Sequence, residues 1–349
     1  MNYLYNEVEN TNRNKSRIEN LLPENKFVTE SESDLKSKSA NHTFNYEIEM
    51  EIDSLTTLSF VPNLKRGIST NRTNSSSQTK NEFGEDLNKS NSSDFLNVDT
   101  FNFQNEFLIA RRFKRKGRSI SLGFENRNTK NETNQLKNSA AYFFQSATPD
   151  DIRNQQIQSI SHTDEYTLNA TYREPINNSQ SLIFRYSSIW TNEFQGRGTF
   201  DFNSASNNYT NYNNLLSYSN NLKGTKVAPS VGYQLNTEKL WIYVGAGTTF
   251  NNYDVSSQYN NNTYLNNRFD ILPQLNVSTS IQLGKSKSIY ANYSYTENSP
   301  YLNQLLEYED LSSPLFRSTG NRDLLTTQEH SAYLSFRDYD WQTRSGYYF

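Results

Sequence analysis

The stretch Phe269-Asp270-Ile271-Leu272-Pro273-Gln274-Leu275-Asn276-Val277-Ser278-Thr279-Ser280-Ile281-Gln282-Leu283-Gly284 decides how this chain folds. Odd positions carry Phe269, Ile271, Pro273, Leu275, Val277, Thr279, Ile281 and Leu283, whereas Leu272 is the one apolar residue on the even positions. Successive side chains of a strand point to opposite faces, so this period of two describes a sheet with one apolar and one polar face. Thr43–Ile52 behaves the same way, with Phe44, Tyr46, Ile48, Met50 and Ile52 apolar and the residues between them polar. A break at Asp53-Ser54 then leads into Leu58, Phe60, Pro62 and Leu64 on one parity, which reads as a tight hairpin. Further one-sided strands are Ile120/Leu122/Phe124, Tyr166/Leu168/Ala170/Tyr172, Leu182/Phe184/Tyr186/Trp190 and Val227/Val231/Tyr233/Leu235. Both parities of Leu240–Phe250 are largely apolar or small, so that strand's facing stays open.

The connections carry as much as the strands. Short turns fall near Asp53-Ser54, Lys114–Gly117, Ile176–Ser179, Asn236–Glu238, Lys285–Lys287 and Asp338–Asp340. Long polar connections lie between them, at about Arg66–Asn97, Asn126–Gln156, Thr191–Asn221, Asn251–Asn267 and Glu297–Thr327. Hairpins are thus joined tightly at one end and loosely at the other. A soluble β-sandwich spreads its loop length over both ends, whereas a transmembrane barrel puts short turns on one side and long loops on the other. The expectation is an all-β fold, an antiparallel transmembrane β-barrel of the outer-membrane type, with about 12 strands present. In that frame Pro62, Pro229 and Pro273 belong at strand ends or above the membrane zone, because proline removes a ladder donor. Lys226, Arg268 and Glu174 lie close to strand ends, where a barrel tolerates charge. Trp190, Trp241, Tyr243 and Trp341 stand where strands meet turns or loops and suit an interfacial aromatic girdle; packing in a soluble core is the alternative.

Composition excludes several classes. The longest apolar stretches, Phe107–Ala110 and Leu240–Gly247, fall far short of the roughly 20 residues a spanning helix needs. With 0 Cys there is neither a disulfide framework nor a cysteine metal site. A formal charge of −3 over 349 residues gives no electrostatic case for nucleic acid. The chain holds 49 Asn and 43 Ser, yet its 14% aromatic content argues for order over most of its length. Met1-Asn2-Tyr3-Leu4-Tyr5 runs directly into polar residues, with no leader pattern. Residues 1–40 read as a polar segment, extracellular loop or disordered, and 41–349 as the barrel portion with short periplasmic turns and long extracellular loops.

The search for chemistry returns little. His42, His162 and His330 have no ligand-type spacing and read as solvent-facing strand or loop residues, so no metal site is expected. Gly245-Ala246-Gly247 lacks the third glycine of a dinucleotide loop and instead suits close packing inside a lumen. Glu47, Glu49 and Glu51 read as a solvated strand face, and Lys114–Arg118 as a basic turn too short for nucleic acid. Neither a catalytic constellation nor a cofactor site emerges, and an enzyme is not expected.

One region resembles a known pattern. Ser299-Pro300-Tyr301-Leu302-Asn303-Gln304-Leu305-Leu306, then Ser313-Pro314-Leu315, then Gly320-Asn321-Arg322-Asp323-Leu324 ahead of His330, is similar to the outer-membrane β-barrel family related to TonB-dependent receptors. Glu47–Ser54, Lys116–Ile120 and Glu165–Pro175 resemble that family's strand starts and ends, so the resemblance covers about residues 41–349. Arg322-Asp323 and Thr326-Thr327 depart from its usual residues. The motif positions Pro300, Leu302, Gln304, Leu305, Pro314, Gly320, Asn321 and Leu324 are the site residues it implies. It also implies part of a larger, 22-stranded barrel whose full receptor carries a plug, lies in the cell outer membrane against its lipid, binds a nutrient ligand and draws on an energy-coupling inner-membrane complex through that plug. The chain itself then reads as a fragment of such a receptor. Two other readings stand beside it: a complete small pore of about 12 strands, and a soluble secreted β-sheet protein that binds carbohydrate.

Overall fold

The computed structural model describes residues 1–21, 26–145, 148–300, 302–305, 309–310, 318–340 and 343–348. Its strands are β1 (Asn2–Asn20), β2 (Phe27–Asn45), β3 (Ile48–Asp53), β4 (Thr56–Asn81), β5 (Asp86–Arg112), β6 (Ser119–Phe143), β7 (Asp151–Pro175), β8 (Gln180–Asn203), β9 (Asn208–Tyr212) and β10 (Tyr218–Asn236). They continue as β11 (Leu240–Tyr259), β12 (Asn262–Gln282), β13 (Lys287–Asn298), β14 (Glu309–Asp310), β15 (Ser318–Thr319), β16 (Thr327–Asp340) and β17 (Ser345–Tyr348). Among the described residues a 3-10 turn (Asn214–Leu216) and one α-helical turn, α1 (Leu302–Leu305), interrupt them. All but β14 and β15, which pair with each other, belong to one antiparallel 15-stranded sheet with order β1-β2-β4-β5-β6-β7-β8-β10-β11-β12-β13-β16-β17. β3 pairs with β4 and β9 with β8, and no pairing among the described residues joins β1 to β17, so the sheet is open.

The expected count of about 12 is therefore too low. Much of the difference lies in the segment read as polar loop or disorder: β1 pairs with β2 from Asn2 opposite Asn45 to Asn20 opposite Phe27, so the described residues there are strand. Four of the long connections are corrected in the same sense. β4 runs on to Asn81 and β5 starts at Asp86, and the same holds at the tops of β6–β7, β8–β10 and β11–β12. These upper strands are rich in Asn, Ser and Thr on both faces, so the apolar period of two is lost while the ladders persist. Cross-strand hydroxyl pairs such as Thr29 with Thr79 (3.0 Å) and Ser31 donating to Ser77 (3.0 Å) run along them. In the fifth connection, the described residues between Asn298 and Thr327 add no strand to the main sheet.

The tight turns stand where the sequence predicts them in five of six places. Asp53 closes the first by accepting from the Leu55 amide (2.7 Å) and the Thr56 hydroxyl (3.2 Å). Gly117, at φ 85°, permits the second, and Asn177 accepts from the amides of Ser179 and Gln180 (both 2.9 Å) in the third. The last turn is displaced: Asp338–Asp340 still belongs to β16, and Arg344, at φ 54°, marks the reversal.

The three prolines lie inside strands, each at a gap in one ladder. Asn45 opposes Asn63 and Ile48 opposes Phe60 on the same line, so β2 and β3 are one strand interrupted opposite Pro62. The Tyr46 amide donates to the Pro62 carbonyl (3.1 Å), and the return bond needs an N–H that proline lacks. The β10–β11 ladder lapses likewise at Ala228 and Pro229, and the β12–β13 ladder begins only at Gln274, one residue beyond Pro273.

Candidate functional site

Register sorts the sheet into two faces. Phe60, Phe107, Phe124 and Leu168 stand opposite one another in one row, and Val227, Phe250 and Ile271 align in the same way. Phe184, Val231, Ala246 and Leu275 form a neighbouring row on that face. Phe107, Phe124, Leu168, Phe184, Val231, Phe250, Ile271 and Leu275 are all exposed, an uncovered apolar face far larger than soluble monomers carry. Its loop-ward border is Tyr166 opposite Trp190, beyond which the next row reads Asp164, Asn192, Lys223, Asp254. On the turn-ward side, past Tyr172, the Glu174 carboxylate accepts from Arg115 (2.8 Å), Arg118 (2.7 Å) and the Tyr172 hydroxyl. Arg118 first, then Tyr172, hold that carboxyl down to about 2.

Of the four residues expected in a girdle, Trp190 lies exposed on the apolar face, opposite Tyr166. Trp241 and Tyr243 sit on the other, polar face, opposite Ser280 and Ser278, because their odd parity in β11 alternates with Val244, Ala246 and Phe250. Tyr243 lies across Gly232 and Gly245 and accepts a hydrogen bond from Arg185, whose guanidinium stands 5.1 Å from the ring centre. The small residues of Gly245–Gly247 thus serve close packing, as the sequence suggests. Trp341 lies outside the described residues.

The inner, polar face receives the loop that carries the family-like motif. Leu305, 2% exposed, packs in a cluster with Tyr253 and Val255 of β11, bordered by Leu222 and Leu324. The Asn321 amide donates to the Gln304 carbonyl (2.6 Å), and the Asn321 side chain accepts from the Asp323 amide (2.9 Å). Gln304, Leu305, Gly320, Asn321 and Leu324 are therefore drawn together, with Pro300 at the loop's entrance and Leu302 in α1. Pro314 lies outside the described residues. One ion pair on β12 fastens both ends of this loop. Arg268 Nε meets Asp270 at 2.8 Å; Ser299 donates to Asp270 (2.7 Å) on one side, and Arg268 Nη1 donates to the Leu324 carbonyl (2.5 Å) on the other. Asn251 adds a bond to Ser299 (2.8 Å). The charges of Arg268 and Lys226 thus face inward and are not interfacial; motif reasoning missed this clasp because its partners lie 29 and 56 residues apart in the chain.

Beneath the loop is a cavity of about 620 Å³, lined among others by Glu165, Glu193, Lys226, Tyr253, Gln304 and Glu329. β7 and β16 both contribute to it although five strands separate them in the sheet, so the open sheet is strongly curved. Three-residue clusters of metal-ligating side chains do not occur among the described residues.

An antiparallel sheet with one lipid-compatible face and one polar face has the pattern of an outer-membrane β-barrel. The outer membrane protein beta-barrel family model matches residues 111–349, and the chain belongs to this family, whose place is the outer membrane. Among solved structures, the translocator domain of autotransporter NalP from Neisseria meningitidis is similar at 9% identity, over 84% of this chain and 81% of that chain, with a TM-score of 0.28. The alcaligin outer membrane receptor FauA from Bordetella pertussis is similar at 10% identity, over 96% and 70%, with a TM-score of 0.28. The ferric yersiniabactin uptake receptor FyuA from Yersinia pestis is similar at 6% identity, over 96% and 72%, with a TM-score of 0.26. No curated protein matches the chain in sequence.

Proposed function

We propose that this chain is barrel wall and outer surface of a TonB-dependent-type receptor that binds a nutrient and takes it up. The observation that carries this reading is the loop of residues 299–324, which bears the receptor-like motif, folds onto the inner face and is clasped there at both ends by Arg268–Asp270. Described segments of that loop held against the inner face by an ion pair suit capture and handover of a ligand better than free diffusion. The apolar face meets outer-membrane lipid. Strands β4 and β5, 26 and 27 residues long, exceed the roughly 9–11 that cross a bilayer, so their polar upper parts stand outside as a recognition surface. Energy coupling belongs to the plug and inner-membrane complex of a full receptor, and no bond-making chemistry is assigned to these residues.

Uptake tests this directly. Cells with and without the gene are offered ferric chelates, oligosaccharides and oligopeptides as limiting nutrients, with and without a protonophore. Loss of one class on deletion, reproduced by collapsing the proton gradient, is the expected result. Unchanged uptake of all classes, or discrete conductance steps from the purified protein in planar bilayers, overturns it in favour of a passive pore.

A further inference from the structure

The cavity beneath the clasped loop has a charge pattern of its own. Lys226 of β10 and Glu329 of β16 both line it, and among the described residues neither has an ion-pair or hydrogen-bond partner. Glu165 is weakly engaged, 3.9 Å from Arg127, and Glu193 accepts from Gln195 (2.5 Å). An uncommitted ammonium and an uncommitted carboxylate, carried by strands with three others between them in the sheet, therefore line one cavity. Asn298, Gln304, Ile189 and Leu222 also line it. A further observation points to a missing partner: the hydroxyl of Tyr253, a residue only 6% exposed that also lines the cavity, has no hydrogen bond among the described residues. Buried polar atoms are normally satisfied, and an orphan one beside a cavity is a place for a ligand atom.

We propose that this cavity binds a small zwitterionic, peptide-like ligand, with Lys226 receiving its carboxylate and Glu329 its ammonium. The volume lies within the range of small-molecule sites, and the mixture of amide and aliphatic lining suits a peptide backbone with short side chains. A ligand of one charge sign satisfies only one of the two walls. The proposal deepens the receptor reading above and rests on it for the site's place in uptake, although binding is measured without transport.

The probe is tri-alanine, titrated calorimetrically into the detergent-solubilised full chain beside its N-acetyl, C-amide and doubly capped forms. The free peptide is expected to bind, and either cap to weaken binding about tenfold or more. Lys226→Met should abolish discrimination against the amide alone, and Glu329→Gln discrimination against the acetyl form alone. Heat-modifiable electrophoretic mobility shows that each variant still forms the folded barrel. Undetectable binding of the free peptide, binding no tighter than that of the doubly capped peptide, or folded variants that keep both preferences overturns the proposal. Energised uptake of another nutrient class beside cap-indifferent peptide binding leaves the receptor standing and removes this site. Cap-dependent binding without energised uptake does the reverse.

Discussion

Gly247 stands opposite Ser230 in β10, and a Cβ placed on it would lie 2.6 Å from the Ser230 Cβ and 2.8 Å from the Pro229 carbonyl oxygen. Backbone cannot retreat as a side chain can, so Gly247→Ala should cost about 1–3 kcal/mol, within the usual range for overpacking. At Gly245 the obstacle is the ring of Tyr243, which can swing aside at the expense of its bond from Arg185; Gly245→Ala should cost less. Urea midpoints of the two variants in one detergent give the order, and a Gly245 variant weaker than the Gly247 variant would contradict it. Glu174 supplies a second residue-scale case, with the sign set by its depressed pKa. A carboxyl held near 2 when folded and near its ordinary 4.5 when unfolded stabilises the fold above the unfolded value. That contribution is lost as pH falls from about 4.5 through about 2. Glu174→Gln should therefore flatten stability across that acid window and leave its slope at higher pH unchanged, read as urea midpoint against pH.

At the scale of elements, the loop of residues 299–326 depends on its clasp. The Arg268 and Asp270 side chains are 15% and 10% exposed, so Arg268→Ala strands a largely buried carboxylate and should cost about 3 kcal/mol. It also frees the Leu324 carbonyl, so trypsin should cut after Arg322 faster than in the parent, with cleavage in the tight turns unchanged. Equal cleavage rates would show that the loop holds without its ion pair. This element also shows what the sequence could reveal. The motif residues Gln304, Leu305, Asn321 and Leu324 were recognisable by resemblance and do assemble, yet Arg268, Asp270 and Tyr253 carry no local signal and meet the loop only through pairing of strands. The lower strands were legible because lipid demands apolar residues on one parity. Upper strands such as Ser69–Asn81 lie outside that constraint; with Asn, Ser and Thr on both faces they look like loops, although their backbone ladders run on, with one register shift at Thr79/Lys80. The facing of Tyr243 and Trp241 stays open in the sequence for the related reason that both parities of their strand are apolar or small, and register with Ser278 and Ser280 decides it.

For the molecule as a whole, the open edges are the unresolved free-energy problem. β1 pairs with the part of β2 that lies alongside Asn63–Asn81 of β4, above the apolar row at Phe60. At the level of that row the outermost strand on one side is β3, where Ile48 opposes Phe60. On the other side β17 covers only Arg337–Asp340, leaving the outer edge of Ser331–Phe336 in β16 without a described partner. Unpaired amides and carbonyls are costly in hydrocarbon, several kcal/mol each, so neither edge can stay bare in a bilayer. The two edges must meet each other or further strands. Either arrangement predicts that in outer-membrane vesicles the amides of Ile48–Asp53 and of 331–336 exchange as slowly as those of the interior pair Phe124 and Leu168. Mass-resolved hydrogen exchange on the embedded protein reads this directly. Rapid exchange at both edges, with the interior pair protected, would mean that they face water, and the apolar face beside them could not then be the lipid-facing wall of a closed barrel.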